Sequence, residues 1–196
     1  MIPGLQVYLF RRTYDDLVKN HIEGSSGFRS MLSQWVNDGL VKIVESEIRF
    51  WNGSKIYLCH CEHEKHRFKY QGSEIHVLLI DELTLFTELI YRFLRTRVRM
   101  TSIKVPPQFA GCIPRILCGS NPGNIGHAFV KSTFIMDGDQ KAVPLALRQM
   151  PDEEGGMIRQ YIPATLDDNP TMAVDDPNYR SRIRGMGNAA LVKAFE

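Results

Sequence analysis

The chain has 196 residues, 43% hydrophobic and 23% charged, with 24 basic against 22 acidic side chains and a formal net charge of +2. That length supports one good-sized core with the composition of an ordinary globular protein, and the small net charge does not by itself mark a nucleic-acid binder. No apolar run is long enough to span a membrane, and four cysteines with no secretory leader point to reduced thiols in a cytoplasm.

In chain order, Leu5 to Phe10 reads as a short strand. Thr13-Tyr14-Asp15-Asp16 has the form of a capping box, which predicts a helix from near Tyr14. Gly24-Ser25-Ser26-Gly27 breaks it, and a second helix is expected from Phe28 to Val36, stopped by Asn37-Asp38-Gly39. Ile48 to Trp51 and Lys55 to Cys59 read as strands joined by Asn52-Gly53, a strong hairpin signal. His76 to Ile80 is a continuous apolar run, the pattern of a strand buried on both faces of a parallel sheet. Leu83, Phe86, Ile90, Phe93 and Leu94 then recur at helical spacing. Pro106-Pro107 marks a loop, and Arg115 to Gly119 is another short apolar strand leading into the turn-rich Ser120-Asn121-Pro122-Gly123-Asn124. A helix is expected near Ala128 and a strand from Ile158 to Ile162. Asp176 and Pro177 would open a further helix as N-cap and first residue, and Asn188 would cap a last one. Strands alternating with helices argue an α/β sheet with a β-hairpin insertion.

The apolar strand ends abruptly in Asp81 and Glu82, at the carboxyl end where open α/β sheets hold ligands. A nucleotide hydrolase needs one acid to hold Mg²⁺ near the phosphates and a second to orient or deprotonate the attacking water. Asp81 fits the first role and Glu82 the second, the pattern of a Walker B motif with a catalytic glutamate. A buried strand entering a solvated turn is the alternative. Ser120 and Asn121 end the next apolar strand. Beside the Asp-Glu strand they would sense a γ-phosphate; otherwise they form a polar turn.

From Arg92 to Lys104 there are five basic residues and no acidic one. Arg92, Arg95 and Arg99 share one helix face if the helix persists that far, with Arg97 and Lys104 nearby. Such a stripe suits phosphate contacts that do not read sequence, a subunit contact, or a solvated face. Cys59-His60-Cys61-Glu62-His63-Glu64-Lys65-His66 holds metal-ligating residue types, but the spacing is poor for zinc, with no Cys-x-x-Cys pair. A strand would put Cys59 and Cys61 on one face and His60 on the other. No local signature of nucleophilic catalysis is present.

Taken in order, several segments resemble the ATPase domain of a bacteriophage large terminase subunit, the DNA-packaging motor. They are Leu9-Phe10-Arg11-Arg12-Thr13, Gly72 with His76 to Glu82, Arg95-Thr96-Arg97-Val98-Arg99, Gly119-Ser120-Asn121-Pro122-Gly123 and Phe129-Val130-Lys131. Ala164-Thr165-Leu166-Asp167-Asp168-Asn169-Pro170 and Asn188-Ala189-Ala190-Leu191 follow in the same order. The resemblance implies a P-loop NTPase-like α/β fold of the additional-strand, catalytic-glutamate type, a mainly parallel sheet between helices. Residues 1–163 would form the sheet core and 164–196 a C-terminal helical segment. It implies Mg²⁺ and ATP as cofactors, with Asp81 on Mg²⁺, Glu82 as the catalytic acid, and Ser120 and Asn121 coupling hydrolysis to movement. It also implies double-stranded DNA, a portal and a small terminase subunit as partners, a homo-oligomeric ring, and work in the bacterial host cytoplasm at the procapsid portal. The departures are specific. No Gly-x-x-x-x-Gly-Lys-Ser/Thr occurs in these residues, and the expectation is that the chain starts downstream of the family's phosphate loop and lacks its nuclease domain. Arg67 is the one arginine shortly before the Asp-Glu strand where some members carry an arginine finger. The expectation is a fragment truncated at its N-terminus, inactive alone, with the edge of the Arg115–Gly119 strand exposed. The other reading is a non-catalytic DNA- or subunit-binding prophage remnant.

Overall fold

A computed structural model describes residues 2–185, Gly187 and Val192. The chain forms two compact units, Met1–Ser120 and Asn121–Glu196. The first is built on a six-stranded sheet. Its strands are β1 (Gln6–Arg11), β2 (Val41–Ile43), β3 (Glu47–Phe50), β4 (Lys55–His60), β5 (Val77–Ile80) and β6 (Arg115–Cys118), in the order β2-β3-β4-β1-β5-β6. β4, β1, β5 and β6 run parallel, and β2 and β3 add antiparallel at one edge. The apolar runs in β1 and β5 thus occupy the middle, as burial on both faces requires.

Alternation along these strands divides the core. On one face Leu9 and Leu58 pack with Leu17 and Ile22, and Val18, Phe28, Ile43, Ile56 and Leu79 close around them. The opposite face carries Tyr8, Phe10, Leu78 and Ile80, all buried, with the Tyr70 ring edge-on to Phe10 at 4.7 Å. Helix α1 (Tyr14–Leu17) starts where the sequence predicts, because the Thr13 hydroxyl accepts from the Asp16 N–H at 3.2 Å. Its hydrogen bonding then widens to i→i+5 spacing over Val18–Ile22.

Several elements differ from expectation. The helix anticipated over Phe28 to Val36 is two short ones, α2 (Phe28–Met31) and α3 (Ser33–Asn37), parted at Leu32. β2 has no counterpart among the predicted strands, and β4 lies inside the parallel sheet, so the antiparallel strands extend the sheet rather than form a separate insertion. The periodic run after Glu82 is not one helix either. A 3-10 turn, Leu83–Leu85, gives way to extended Phe86, and Thr87 caps a fresh helix α4 (Glu88–Arg95). α4 stops at Thr96 and Val98 then bridges to Ile75, just before β5, so Arg99 is not on the helix face of Arg92 and Arg95.

The second unit opens with α5 (His127–Val130), continued by wide turns over Lys131–Ile135. Two small ribbons follow, β7 (Met136–Asp137) with β8 (Gln140–Lys141) and β9 (Arg148–Gln149) with β10 (Ile158–Arg159). β10 is only the start of the strand expected to reach Ile162. Buried Arg159 donates to the Thr133 carbonyl at 3.1 Å and to Glu154 at 3.0 Å, and Arg148 donates to the Phe134 carbonyl at 2.9 Å. Helix α6 (Pro170–Asp175) is capped by Asn169, with Pro170 at its first position. Asp176 ends α6 instead of starting a helix, and α7 (Tyr179–Arg184) begins after Asn178. The helix expected from Asn188 lies outside the described residues. Among the described residues no helix is long and apolar enough to cross a membrane.

Candidate functional site

The carboxyl ends of β1, β5 and β6 are knitted together. Asp81 N–H donates to the Phe10 carbonyl at 3.0 Å, Gly119 N–H to Ile80 at 3.0 Å, and Leu83 N–H to Gly119 at 2.9 Å. These ladder bonds bring Asp81, Glu82 and Ser120 to one end of the parallel sheet.

Asp81 is held from two sides. The Arg11 guanidinium pairs with Oδ2, and His21 Nε2 lies 2.9 Å from the same oxygen. Arg11 is the last residue of β1. His21 lies in the wide-turn segment after α1, where the shifted hydrogen bonding sets the direction of its side chain. The next residue after Arg11, Arg12, donates to the Leu85 carbonyl at 2.7 Å, so the paired arginines grip both the carboxylate and the turn behind it. Asp81 Oδ1 faces β6, where a Cβ added at Gly119 would lie 3.5 Å away. The Arg11 Nε is buried with no hydrogen-bond partner among the described residues.

Glu82 occupies the left-handed region, φ 55° and ψ 58°. A non-glycine residue there carries strain of roughly 1–2 kcal/mol. The strain turns the chain sharply out of β5 and opens the Leu83–Leu85 turn, Leu85 N–H donating back to the Glu82 carbonyl at 2.9 Å. Replacing Glu82 with glycine should therefore raise the urea midpoint, a gain of up to about 1 kcal/mol after the glycine's own entropy cost. A fall in stability would show that the Glu82 side chain holds the turn.

Ser120 Oγ accepts from the Thr84 N–H at 3.1 Å. The end of β6 is thereby tied to the turn two residues beyond Glu82. Asn121, the following residue, begins the second unit. Leu9, Leu79, Ile80, Asp81, Leu117, Cys118 and Gly119 line an open depression of about 290 Å³. That is the low end of ligand pockets. β6 ends the sheet, and Leu117 on it is 51% exposed.

Arg92 pairs with Glu88 at 2.6 Å along α4, Arg95 lies over the Tyr91 ring, and Arg97 and Arg99 follow the helix. None of them, nor Lys104, belongs to the crevice at Asp81 as drawn by these hydrogen bonds. The Cys59–His66 segment does not assemble a metal centre: among the described residues no group of three or more His, Cys, Asp or Glu side chains is arranged to hold one. Burial pushes the Cys59 thiol up to about 12 and Cys61 to about 11, which keeps both protonated and poor as ligands.

The sequence alone implies no site role for Arg11, Arg12 or His21. The Arg-Arg pair at a strand end was the visible signal. Nothing local points His21 at a carboxylate 60 positions away.

No protein-family model and no curated protein matches this sequence. Among solved structures it is similar to the large terminase of a thermophilic bacteriophage in two crystal forms, one of them in complex with ADP. The TM-score is 0.60 in both cases, with identities of 14% and 13%, covering 100% of this chain and 40% of those chains. The likeness is one of fold: a mixed α/β unit with a mainly parallel central sheet. This chain spans 40% of the length of the structures it matches.

Proposed function

We propose that this chain is part of the ATP-hydrolysing motor of a phage large terminase, the machine that drives double-stranded DNA into procapsids. One observation carries the reading. β5 and β6 are neighbours in a parallel sheet, so Asp81-Glu82 and Gly119-Ser120 emerge side by side at the ligand-binding end.

The residues present fit a hard divalent cation. Arg11 and His21 both take Oδ2 of Asp81, which leaves Oδ1, beside Gly119, as the oxygen for Mg²⁺. One or two carboxylates suffice for Mg²⁺, which keeps waters and leans on substrate phosphates. When bound, Mg²⁺ would neutralise charge on the phosphates. Glu82 would orient the attacking water and accept its proton. Arg11 and His21 fix the Asp81 carboxylate. Ser120, through Thr84, would report on the state of the site, with Asn121 continuing into the second unit. The phosphate-gripping Gly-x-x-x-x-Gly-Lys-Ser/Thr is not among these 196 residues, so the chain alone is not expected to turn over ATP. Portal, small terminase subunit and ring-forming copies of the intact protein are the corresponding partners.

Mn²⁺ binding followed by electron paramagnetic resonance tests the site. Asp81→Ala is expected to weaken it by about tenfold or more, while Arg29→Ala on α2 leaves it unchanged. Mn²⁺ binding indifferent to Asp81 would overturn the assignment. ATP turnover by the purified chain, abolished by Glu82→Gln, would overturn the view that it is incomplete alone.

A further inference from the structure

We propose that the seam between the 3-10 segment Glu64–Tyr70 and the end of α4 is a docking surface for the phosphate backbone of duplex DNA. This surface deepens the reading above and rests on it only in taking the polyanion to be DNA. It adds Lys65, Arg67, Phe68 and Lys69, which the DNA expectation for Arg92 to Lys104 did not include, to Arg95, Arg97 and Arg99, which it did.

The seam is a stack of rings and guanidinium groups. Arg67 Cζ lies 4.3 Å from the Phe68 ring centroid and 5.8 Å from that of Phe93. Arg97 Cζ lies 5.1 Å over the Phe93 ring, and the two rings meet edge to face at 5.8 Å. Phe68 is 52% exposed and packs edge to face on Phe93. Its work here is to carry Arg67. Stacked guanidinium groups lose less freedom on binding than free ones, and Arg97, whose Nε and Nη2 donate to the Thr96 hydroxyl at 3.0 and 2.9 Å, keeps Nη1 for a phosphate oxygen. Arg67 is braced further by donating to the Glu64 carbonyl at 2.7 Å, and Arg99 donates to the Gly72 carbonyl at 3.2 Å, holding both strands of the seam together.

Charge points the same way. Lys65, Arg67 and Lys69 come from one side of the seam, and Arg95, Arg97 and Arg99 from the other, with no acidic residue from Lys65 to Ser73 or from Leu89 to Lys104. Among the described residues neither Arg67, Arg97, Arg99, Lys65 nor Lys69 forms an ion pair with a carboxylate. A chain of net charge +2 that collects six cations on one seam favours a polyanion there. Because Arg67 already caps the exposed ring, the surface presents cation edges rather than a bare aromatic face. That suits backbone phosphates of a duplex over stacked single-stranded bases.

The test is fluorescence anisotropy of the whole chain with a short duplex of mixed sequence, without nucleotide, across about 50–200 mM salt. Wild type is expected to bind with a steep salt dependence. Arg67→Ala with Arg97→Ala should weaken binding by about tenfold or more at low salt and flatten the log–log slope by about 2. The corresponding lysine pair should keep the slope. Lys65→Ala with Lys69→Ala, both exposed side chains, should flatten it likewise and serves if the arginine pair fails to fold. Arg29→Ala with Lys42→Ala, elsewhere on the unit, should change nothing. Absence of duplex binding, a slope unmoved by the seam variants, or tighter binding of single strands would each overturn the proposal. So would self-association that the same variants abolish without any duplex binding. Because no nucleotide or metal is present, these outcomes are separate from success or failure of the Asp81 site.

Discussion

Replacing His76 with leucine is expected to destabilise the chain by about 3 kcal/mol, read as a lowered urea midpoint, since each buried polar group left without its partner costs roughly 1–3 kcal/mol. His76 is fully buried just before β5. Its Nδ1 accepts from the Gln6 N–H at 3.0 Å, so the proton sits on Nε2, which faces Glu74 at 3.1 Å and the Ser102 hydroxyl at 3.2 Å. Its backbone accepts from Arg115 N–H and donates to the Gln6 carbonyl. One residue thus joins the starting ends of β1, β5 and β6, the strands whose far ends hold Asp81 and Ser120. Leucine fills the space but leaves the Gln6 N–H without an acceptor.

Glu74 adds a pH dependence to this clamp. The Thr101 N–H, its hydroxyl, and the Ser102 N–H all donate to the carboxylate, which holds its pKa well below the usual range against a smaller opposing effect of burial. A depressed carboxylate contributes stability that is present above its unfolded value, about 4, and is lost as pH falls through the folded one. Unfolding should therefore become easier in acid below about pH 4, and Glu74→Gln should lose that part of the acid sensitivity along with some stability at neutral pH.

Phe10→Ala is expected to cost roughly 3–5 kcal/mol, as large-to-small changes in a closed core do. Phe10 is wholly buried in the central strand, and the substitution also removes the edge-to-face contact with Tyr70. Its carbonyl accepts from Asp81 N–H, so a loosened strand end should weaken Mn²⁺ binding as well as stability. Leu117→Ala supplies the contrast. That side chain is half exposed on the edge strand, and its loss should move thermal stability little. Equal losses for the two variants would mean that Phe10 is not in the closed core.

The catalytic-looking pair Asp81-Glu82 was legible because its signal is local, an apolar run stopping dead at two carboxylates. Ser120 was legible for the same reason. What surrounds Asp81 was not, because Arg11 and His21 arrive from 70 and 60 positions away through the sheet and a shifted helical turn. The apolar spacing from Leu83 to Leu94 suggested one helix. It hid the left-handed Glu82 and the Thr87 cap, where local hydrogen bonding overrides periodicity. Asn169-Pro170 opens α6, which Asp176 closes, and the helix expected from Asp176-Pro177 starts two residues later as α7, after Asn178. Arg67 and Phe68 carried no motif, and only packing against α4 gives them a shared surface.

The parallel sheet also sets an order of assembly. β3 and β4 meet across a short turn, and β2 joins β3 nearby, so this corner forms from local contacts. β1 must instead find β4 across 49 positions and the start of β5 across 70. Closing such loops before any reward slows folding and leaves the late strands open to wrong pairing. During synthesis β6 is the last of the six strands to emerge, so the crevice between its end and that of β5 is the final piece of the first unit to take shape. A chain emerging from synthesis would hold Asp81 and Glu82 apart from Ser120 until the second unit has begun to appear, so the candidate site matures only when its neighbour along the chain is already being made.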